Sequence, residues 1–263
     1  MQGINKNVPV VILCGGTGTR LKEETEYKPK PMVTVGGRPI LWHIMKLYAH
    51  HGFNNFILCL GYKGQAIKDY FLNYKWLASD FSMRIGRNKT EYAIYGDRED
   101  DIHIIFADTG KDTLTGERLK MVERYIPQQE FMLTYGDGVA NLNINALVNF
   151  HRRQGTAGTL TGVHPTSKYG MVSVGDNNLV ASFAQKPKLN EYVNGGFMVF
   201  RRDFFSYLRG GQMIEEALVD LAGEKQLSLY RHDDFWHCMD TYKDYEDLNK
   251  MWKNNPQWKI WSD

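Results

Sequence analysis

The sequence is poor in the features that mark secreted, membrane-spanning or redox-active proteins. It contains three cysteines in 263 residues, Cys14, Cys59 and Cys238, and no two of them form a C-x-x-C pair. An odd number of widely spaced cysteines excludes a disulfide framework and is typical of free thiols in a reducing cytoplasm. No apolar run reaches the roughly 18 residues of a membrane-spanning helix, and the first residues lack the apolar core of a signal peptide.

A large excess of charge of one sign is also lacking. The 32 lysines and arginines oppose 30 aspartates and glutamates, so the formal net charge is +2. This balance gives no argument for nucleic acid or a membrane surface as partner, and any attraction for an anionic substrate must be local. Internal repeats, low-complexity segments and linkers are missing too, which predicts a single domain.

A glycine-rich turn directly follows the first apolar run, Val10 to Cys14. The turn reads Gly15-Gly16-Thr17-Gly18-Thr19-Arg20, and a proline-flanked cation, Lys30, comes soon after it. Glycines let the backbone approach a ligand, and successive N–H groups in such a turn form an anion site. Neither the dinucleotide fingerprint nor a Walker A motif is present. The glycines alone are compatible with a tight turn, but together with Arg20 and Lys30 they predict a polyphosphate site, with Lys30 held extended between its prolines.

Patterns of buried strands and amphipathic helices alternate over the first part of the chain. We predict strands at 10–14, 56–60, 102–107 and 131–135, and helices within 37–52 and at 65–74, 116–125 and 143–154. This order predicts an α/β fold with a Rossmann-like, mainly parallel sheet flanked by helices. Short runs at 159–164, 170–174 and 180–183, with a turn signal at 175–178, predict a smaller mixed or antiparallel extension of the sheet. A strand at 197–200, a helix at 212–222, a strand at 227–230 and a helix at 243–253 complete the prediction.

Two aspartates are candidate ligands for a hard cation. Asp137 lies between Gly136 and Gly138 at the end of a predicted strand, and Asp240 precedes the last predicted helix. Mg²⁺ prefers one or two carboxylates together with phosphate oxygens and water, so convergence of the two residues would create a magnesium site. Alternatively, Asp137 belongs to a reverse turn and Asp240 caps the helix, and both roles can coexist with metal binding.

Arg118 stands out because it breaks a local rule. We expect Thr115 to cap the helix at 116–125, which places Arg118 in the first turn. A cation there opposes the helix dipole at a cost of some tenths of a kcal/mol. A residue that violates a local preference is a candidate for function.

Three further segments leave alternatives open. We expect His43, His50 and His51 to lie at the surface or at a helix end. The aromatic stretch 75–100, with a strand at 90–95 and an irregular partner, either covers the domain or forms a subunit contact. The tail at 256–261, which carries two tryptophans, either folds back on the domain or packs on a partner subunit.

The strings GGTGTRL and KPKPM together resemble the sugar-1-phosphate nucleotidyltransferases, and VGGRPILWHIM at 35–45 resembles their glucose-1-phosphate cytidylyltransferase branch. The likeness continues through GYKG, DTG, YGDG and MDT over nearly the whole chain. It implies transfer of CMP from CTP to glucose 1-phosphate with Mg²⁺, release of pyrophosphate, and a product used for deoxysugar and surface-polysaccharide precursors. It also implies a homo-oligomer, a nucleotide-binding part at about residues 8–155 and an acceptor-binding part at about 156–263.

The resemblance implies roles for individual residues. The implied catalytic residues are Arg20, Lys30 and Lys186. The implied nucleotide-binding residues are Leu13, Gly15, Gly16, Gly18, Thr19, Arg20, Lys30, Arg118, Gly136 and Asp137. Those implied for the sugar are Tyr135, Gln185, Lys186, Asn194 and Gly195, and those for Mg²⁺ are Asp137 and Asp240.

One residue departs from the pattern, because Gln185 stands where the family usually has a glutamate before Lys-Pro. A neutral amide accepts hydrogen bonds without the assistance of charge, so the acceptor sugar phosphate can differ from glucose 1-phosphate. Other nucleotidyltransferases that use UTP or dTTP remain alternatives, as does a non-catalytic nucleotide-sugar-binding subunit. An NAD-type oxidoreductase is disfavoured because the third glycine of its fingerprint is missing.

Overall fold

The structure is a computed structural model that describes residues 6–16, 18, 21–95 and 101–262. The strands are β1 (Val10–Leu13), β2 (Thr34–Val35), β3 (Arg38–Pro39), β4 (Asn55–Leu60), β5 (Asp80–Ile85), β6 (Thr90–Tyr95), β7 (His103–Asp108), β8 (Glu130–Tyr135), β9 (Gly138–Ala140), β10 (Gly158–Val163), β11 (Gly170–Val174), β12 (Val180–Gln185), β13 (Val193–Arg201), β14 (Leu227–His232) and β15 (Trp236–Cys238). The α-helices are α1 (Lys22–Thr25), α2 (Ile40–His50), α3 (Gly64–Leu72), α4 (Tyr74–Ala78), α5 (Thr115–Met121), α6 (Ile144–Gln154), α7 (Ile214–Gly223) and α8 (Tyr242–Asn254).

A seven-stranded sheet in the order β14-β10-β13-β8-β1-β4-β7 forms the centre of the described chain. The neighbours of β1, namely β4 and β8, are parallel to it, and β7 is parallel to β4. Only β13 runs against its two neighbours in this sheet. The predicted Rossmann-like, mainly parallel sheet is therefore confirmed, and it is continuous across both predicted parts of the chain.

Alternation along the strands creates a hydrophobic layer on each face of the sheet. In β1, Val10 and Ile12 belong to one buried cluster, whereas Val11 and Leu13 belong to the other. Helix α2 covers the first face, and α5 and α7 cover the second. A strand that is buried on both faces reads as a continuous apolar run, which is why β1 was visible in the sequence.

Two hairpins project from this core as separate two-stranded sheets. One consists of β5 and β6, and the other of β11 and β12. The predicted turn at 175–178 is confirmed, and Asn177 and Asn178 there adopt positive φ angles of 56° and 61°. The prediction of an irregular partner for the strand at 90–95 is wrong, because β5 is regular and alternates apolar with polar residues.

The histidine prediction is wrong for His43, which lies on the core face of α2 and is 1% exposed. Its Nε2 lies 2.9 Å from the carbonyl oxygen of Val35, and the Nε1–H of Trp258 donates to its Nδ1. Burial lowers the pKa of His43 to about 4. Trp258 and Trp261 are buried against this helix, so the tail folds back on the domain.

Within the described part of the chain, no helix has the length and apolar character needed to cross a bilayer.

Candidate active site

A cavity of about 360 Å³ opens at the edge of the sheet where the parallel strands β1 and β8 end. Crevices at the carboxyl ends of parallel strands are the usual ligand sites of open α/β sheets. The sequence-predicted residues that line the cavity are Leu13, Gly15, Gly16, Lys30, Arg118, Tyr135, Gly136 and Asp137. The structure thus brings most of the predicted nucleotide-binding residues together.

The glycine turn forms one wall of this cavity, and glycine is needed for a different reason at each of its positions. Among the described residues, no atom lies within 4 Å of a Cβ built on Gly16, so these residues leave its backbone open to a ligand. Gly18 has a φ of +64°, a left-handed conformation that other residues rarely adopt. Thr19 and Arg20, both predicted to bind the nucleotide, lie outside the described residues.

Lys30 links the two predicted metal ligands. Its Nζ lies 2.6 Å from Oδ2 of Asp137 and 2.6 Å from Oδ1 of Asp240. Burial disfavours the charge, but the two carboxylates raise the pKa of Lys30, so its ammonium stays protonated. The expected extended conformation is wrong here, because Lys30–Met32 form a single 3₁₀ turn after Pro29.

A short ladder between β9 and β15 brings the two aspartates together. Gly138 pairs with Cys238, and the N–H of Met239 donates to the carbonyl of Asp137. The two residues that carry the carboxylates therefore flank a hydrogen-bonded ladder, although they are distant in sequence. The convergence inferred for a metal site is present in the structure.

The start of α8 fixes the backbone of Asp240. The expectation that Asp240 caps this helix is wrong, because Thr241 is the N-cap. The carboxylate of Asp244 accepts hydrogen bonds from the N–H groups of Asp240 and Thr241 and from the Thr241 hydroxyl. Burial favours the neutral acid, but the neighbouring His237 and the Thr241 hydrogen bonds hold the pKa of Asp244 well below its usual range.

Sequence reasoning missed Asp244 and also Cys238. Ligand atoms of Asp137, Cys238 and Asp240 lie within 4.8 Å of one another. Burial and the adjacent Asp137 raise the pKa of the Cys238 thiol, which keeps it neutral. The two carboxylates converge on the ammonium of Lys30. Together they form a donor set that suits a hard divalent metal such as Mg²⁺.

Arg118 lies under the cavity, 3% exposed, and its Nη atoms donate to protein oxygens of the surrounding loops. The expected cap at Thr115 is wrong, because Leu114 occupies the N-cap position without a side-chain bond. The hydroxyl of Thr115 instead accepts the N–H of Ile214, which joins α5 to the start of α7.

Tyr135 and the segment 194–196 meet at the end of β8. The hydroxyl of Tyr135 donates to Glu215 over 2.6 Å, and a Cβ on Gly196 would lie 2.8 Å from the tyrosine ring. Asn194 and Gly195 belong to β13 rather than to the loop expected before a strand at 197–200, at a point where pairing with β10 shifts register. The side-chain oxygen of Asn194 accepts the N–H of Gly196.

Gln185 and Lys186 lie at the neck of the β11–β12 hairpin, exposed to solvent and outside the cavity lining. Lys186 has a φ of +50°, which is uncommon for a residue with a Cβ and costs of order 1–3 kcal/mol. Backbone hydrogen bonds from Ser167 to Pro187 and from Leu189 to Pro165 hold the neck closed. The sugar-binding roles of these two residues stay predictions.

Comparison with known proteins agrees with this geometry. The family model described as nucleotidyl transferase matches residues 9–255. A Bacillus subtilis (strain 168) protein named probable glucose-1-phosphate cytidylyltransferase is 44% identical over 95% of this chain and 99% of its own length. The glucose-1-phosphate cytidylyltransferase of Salmonella typhi is 42% identical over 95% of this chain and 98% of its own.

Solved structures share the fold at lower identity. HddC from Yersinia pseudotuberculosis superposes with a TM-score of 0.68 at 21% identity, covering 93% of this chain and 99% of that one. The inositol-1-phosphate CTP transferase from T. maritima gives 0.66 at 16% identity, covering 97% and 99%. By its sequence relatives and its matching family model, the chain belongs to the nucleotidyl transferase family, in the branch of the glucose-1-phosphate cytidylyltransferases.

Proposed function

We propose that this protein transfers CMP from CTP to glucose 1-phosphate, forming CDP-glucose and releasing pyrophosphate. The observation that carries the proposal is the ammonium of Lys30 held between Asp137 and Asp240 beside the cavity. A cation and two carboxylates next to a glycine turn suit a reaction between phosphate groups. The names of the relatives from Bacillus subtilis and Salmonella typhi support the choice of substrates.

The chemical step is an in-line displacement at the α-phosphorus of CTP. An oxygen of the sugar phosphate forms the new bond to phosphorus, and the bond to the bridging oxygen of pyrophosphate breaks. The nucleophile is already an anion, so no general base is required. The barrier is electrostatic, and catalysis rests on positioning and on neutralisation of phosphate charge.

Lys30 and the glycine turn supply that neutralisation on the nucleotide side. We assign Lys30 to the α-phosphate and the open backbone at Gly16 to the other phosphates, since both line the same cavity. Arg20 is assigned to the β- and γ-phosphates from the sequence alone. Tyr135, Asn194 and Gly195 are assigned to the sugar, because they adjoin the end of β8 next to Asp137.

Mg²⁺ is the proposed cofactor, and Asp137 and Asp240 would hold it. When bound, Mg²⁺ neutralises phosphate charge and orients the oxygens of the nucleotide. Lys30 contacts one oxygen of each carboxylate, so its ammonium would lie beside the metal.

A different acceptor is the second candidate, and Gln185 is the observation that favours it. The next residue, Lys186, has a strained backbone conformation, and this conformation fixes how the chain presents the exposed residues Gln185 and Lys186. Strain of this kind recurs at ligand sites, which supports a sugar-phosphate role for both residues. A site that depends on polar contacts discriminates strongly between related sugars.

We further propose a homo-oligomer in which the β5–β6 hairpin contacts a second copy of the chain. Phe81, Met83, Ile85 and Tyr92 lie on one face of this hairpin and are 42–76% exposed. Trp76 of α4 covers part of this face, with ring centroids 5.2 Å from Phe81 and 5.0 Å from Tyr92. A two-stranded hairpin by itself is only marginally stable in water, and burial of the part that stays exposed would stabilise it. The proposed compartment is the cytoplasm, because all three cysteines are free. The proposed product is used to make precursors of surface polysaccharides.

The proposed function is tested by pyrophosphate release in the presence of Mg²⁺, with CTP, UTP and dTTP each combined with glucose 1-phosphate and other sugar phosphates. We expect turnover with CTP and glucose 1-phosphate. Asp240→Asn should lower kcat by about a hundredfold or more. Asp247 is an exposed residue of α8 that pairs with Lys243, so Asp247→Asn should leave kcat unchanged. Turnover with CTP and only another acceptor would support the second candidate, and no release with any pair would contradict both.

A further inference from the structure

The carboxylate of Glu215 is bound to a residue that lines the cavity. Its Oε1 accepts a hydrogen bond from the hydroxyl of Tyr135, and the two oxygens are 2.6 Å apart. Tyr135, at the end of β8, lines the cavity together with Met213, which lies two residues before Glu215 in the chain. Glu215 itself is exposed, so this hydrogen bond connects the wall of the cavity to its rim.

Capping of its own helix does not account for this contact of Glu215. Helix α7 begins with a capping box in which Glu216 supplies the carboxylate. Oε1 of Glu216 accepts the N–H of Met213 over 2.8 Å. The hydroxyl of Thr115 accepts the N–H of Ile214 over 3.0 Å. Other groups thus fix the first turn of α7, and this turn holds the Glu215 carboxylate in place.

The ring of Tyr135 is held from its other side by β13. Gly196 has a φ of +84°, and a Cβ there would lie 2.8 Å from the tyrosine ring, so the ring packs directly on the backbone. Burial, and after it the hydrogen bond to Glu215, raises the pKa of Tyr135, so the hydroxyl keeps its proton. That proton is directed to the carboxylate, and the phenol oxygen retains lone pairs that can accept a hydrogen bond from a ligand.

The other residues assigned to the sugar offer few acceptors for its hydroxyl groups. The side-chain oxygen of Asn194 already accepts a backbone N–H, and the carbonyl of Gly195 accepts the Nε1–H of Trp236 over 2.8 Å. Lys186 has only donors, and Gln185 carries no charge. A phenol oxygen whose proton is bound by a carboxylate is a stronger acceptor, because hydrogen bonds in a chain polarise one another.

We propose that Glu215 is a positioning residue for the acceptor sugar: its carboxylate binds the hydroxyl proton of Tyr135, and the Tyr135 oxygen accepts a hydrogen bond from one sugar hydroxyl. This inference rests on the proposed function and names the part of the acceptor that is recognised. The negative charge on the acceptor side then comes from α7 and not from the hairpin neck that carries Gln185. An acceptor without the recognised hydroxyl should be used poorly.

The first test is Glu215→Gln, because the amide keeps the shape of the side chain and can still accept the tyrosine proton, but without charge. KM for the acceptor should rise about tenfold, while KM for CTP and the melting temperature should keep their wild-type values. A purely structural role would instead lower the melting temperature or change KM for both substrates. An unchanged KM for the acceptor would overturn the proposal.

Glu216→Gln is the matched control on the same turn of α7. Its amide oxygen can still accept the N–H of Met213, so both KM values and the melting temperature should match those of the wild type. Equal rises of KM for the acceptor in Glu215→Gln and Glu216→Gln would mean that any loss of negative charge at the start of α7 has this effect. That result would contradict a role that acts through Tyr135.

The second test uses monodeoxy analogues of glucose 1-phosphate to ask whether the pair recognises one hydroxyl. In the wild type, removal of that hydroxyl should raise KM for the acceptor about tenfold. The same removal should have much less effect in Glu215→Gln and in Tyr135→Phe, because the hydrogen bond is already weakened or lost. Additive effects of the protein change and the sugar change for every analogue would contradict the proposal.

The outcomes separate this inference from the proposed function. Turnover of the wild type with CTP and glucose 1-phosphate, combined with additive effects, would contradict the role of Glu215 alone. If the wild type uses only another sugar phosphate, the deoxy analogues of that sugar should show the same coupling to Glu215 and Tyr135. No turnover of the wild type with any pair of substrates would contradict the proposed function and this inference together.

Discussion

Lys30 shows how one residue can hold two proposed metal ligands together and also compete with the metal for them. Its ammonium contacts both carboxylates at hydrogen-bonding distance. Without this cation, Asp137 and Asp240 would repel each other in a half-buried site. A divalent metal held by both carboxylates would lie close to this ammonium, whose positive charge would oppose its binding.

We predict that Lys30→Met binds Mn²⁺ more tightly than the wild type while its turnover is lost. Removal of the competing ammonium should lower the dissociation constant for Mn²⁺ in the absence of nucleotide by roughly tenfold, about 1.4 kcal/mol. Electron paramagnetic resonance of free Mn²⁺ measures this constant directly. Lys28→Met, which removes a neighbouring lysine paired with Glu24, should bind Mn²⁺ like the wild type, and weaker binding by Lys30→Met would contradict the competition.

The start of α8 is the element that holds Asp240 in place, since Asp244 binds the backbone of both Asp240 and Thr241. We predict that Asp244→Ala weakens Mn²⁺ binding by about tenfold, as losses of supporting groups around metal ligands typically do. Loss of the capping interaction should also lower the free energy of unfolding by about 1 kcal/mol. Mn²⁺ titration and urea unfolding measure the two effects.

Asp247→Ala serves as the matched control for this prediction. Asp247 lies on the same helix and pairs with exposed Lys243 rather than with the backbone of Asp240. It should change neither Mn²⁺ affinity nor unfolding. Equal effects of the two alanine variants would mean that α8 does not position the metal ligand.

Helix α2 makes stability depend on pH through His43. Its folded pKa of about 4 lies below the usual value near 6.5, so the unfolded chain binds more protons between these values. Stability is therefore complete above about pH 6.5 and is lost as the pH falls towards 4. Between pH 7 and 5 the loss due to His43 should be about 2 kcal/mol.

The measurement is urea unfolding of wild type and His43→Gln at pH 7 and pH 5. Glutamine can donate to Val35 and accept from Trp258 without titrating, so the variant should lose about 2 kcal/mol less than the wild type over this interval. His151, whose pKa burial also lowers to about 4, contributes equally to both proteins. His50→Gln on the exposed side of α2 should retain the wild-type pH dependence, and an unchanged dependence in His43→Gln would refute the assignment.

At the scale of the whole molecule, the sequence carried more information about strands than about the contacts between them. Apolar runs revealed β1, β4 and β8, because strands buried on both faces have an unmistakable pattern. Local signals also located the turn at 175–178. The β9–β15 ladder, the Asp244 cap and the carbonyl contacts of Arg118 join distant segments and leave no local pattern. Residue type made Asp137 and Asp240 candidates for one metal site, but no local pattern showed that the two residues converge.

The exposed apolar face of the β5–β6 hairpin is the surface through which we propose that copies of the chain associate. We predict that Met83→Lys on the apolar face of β5 reduces the molar mass in solution, because a charge cannot be buried cheaply in a subunit contact. Size-exclusion chromatography with light scattering measures the mass. Ser82→Lys, on the opposite face of the same strand, should retain the wild-type mass, and an unchanged mass in Met83→Lys would exclude this face as the contact.

The β9–β15 ladder also determines when catalytic competence can arise during synthesis. A nascent chain that ends before Trp236 already carries the glycine turn, Lys30 and Asp137, but it lacks the strand that delivers Asp240. Chains leave the ribosome N-terminus first, and domains generally fold as units. Until the last strand is added, Lys30 can pair with Asp137 but not with Asp240. A truncated translation product should therefore be unable to assemble the two-carboxylate site, however much of the central sheet it has formed.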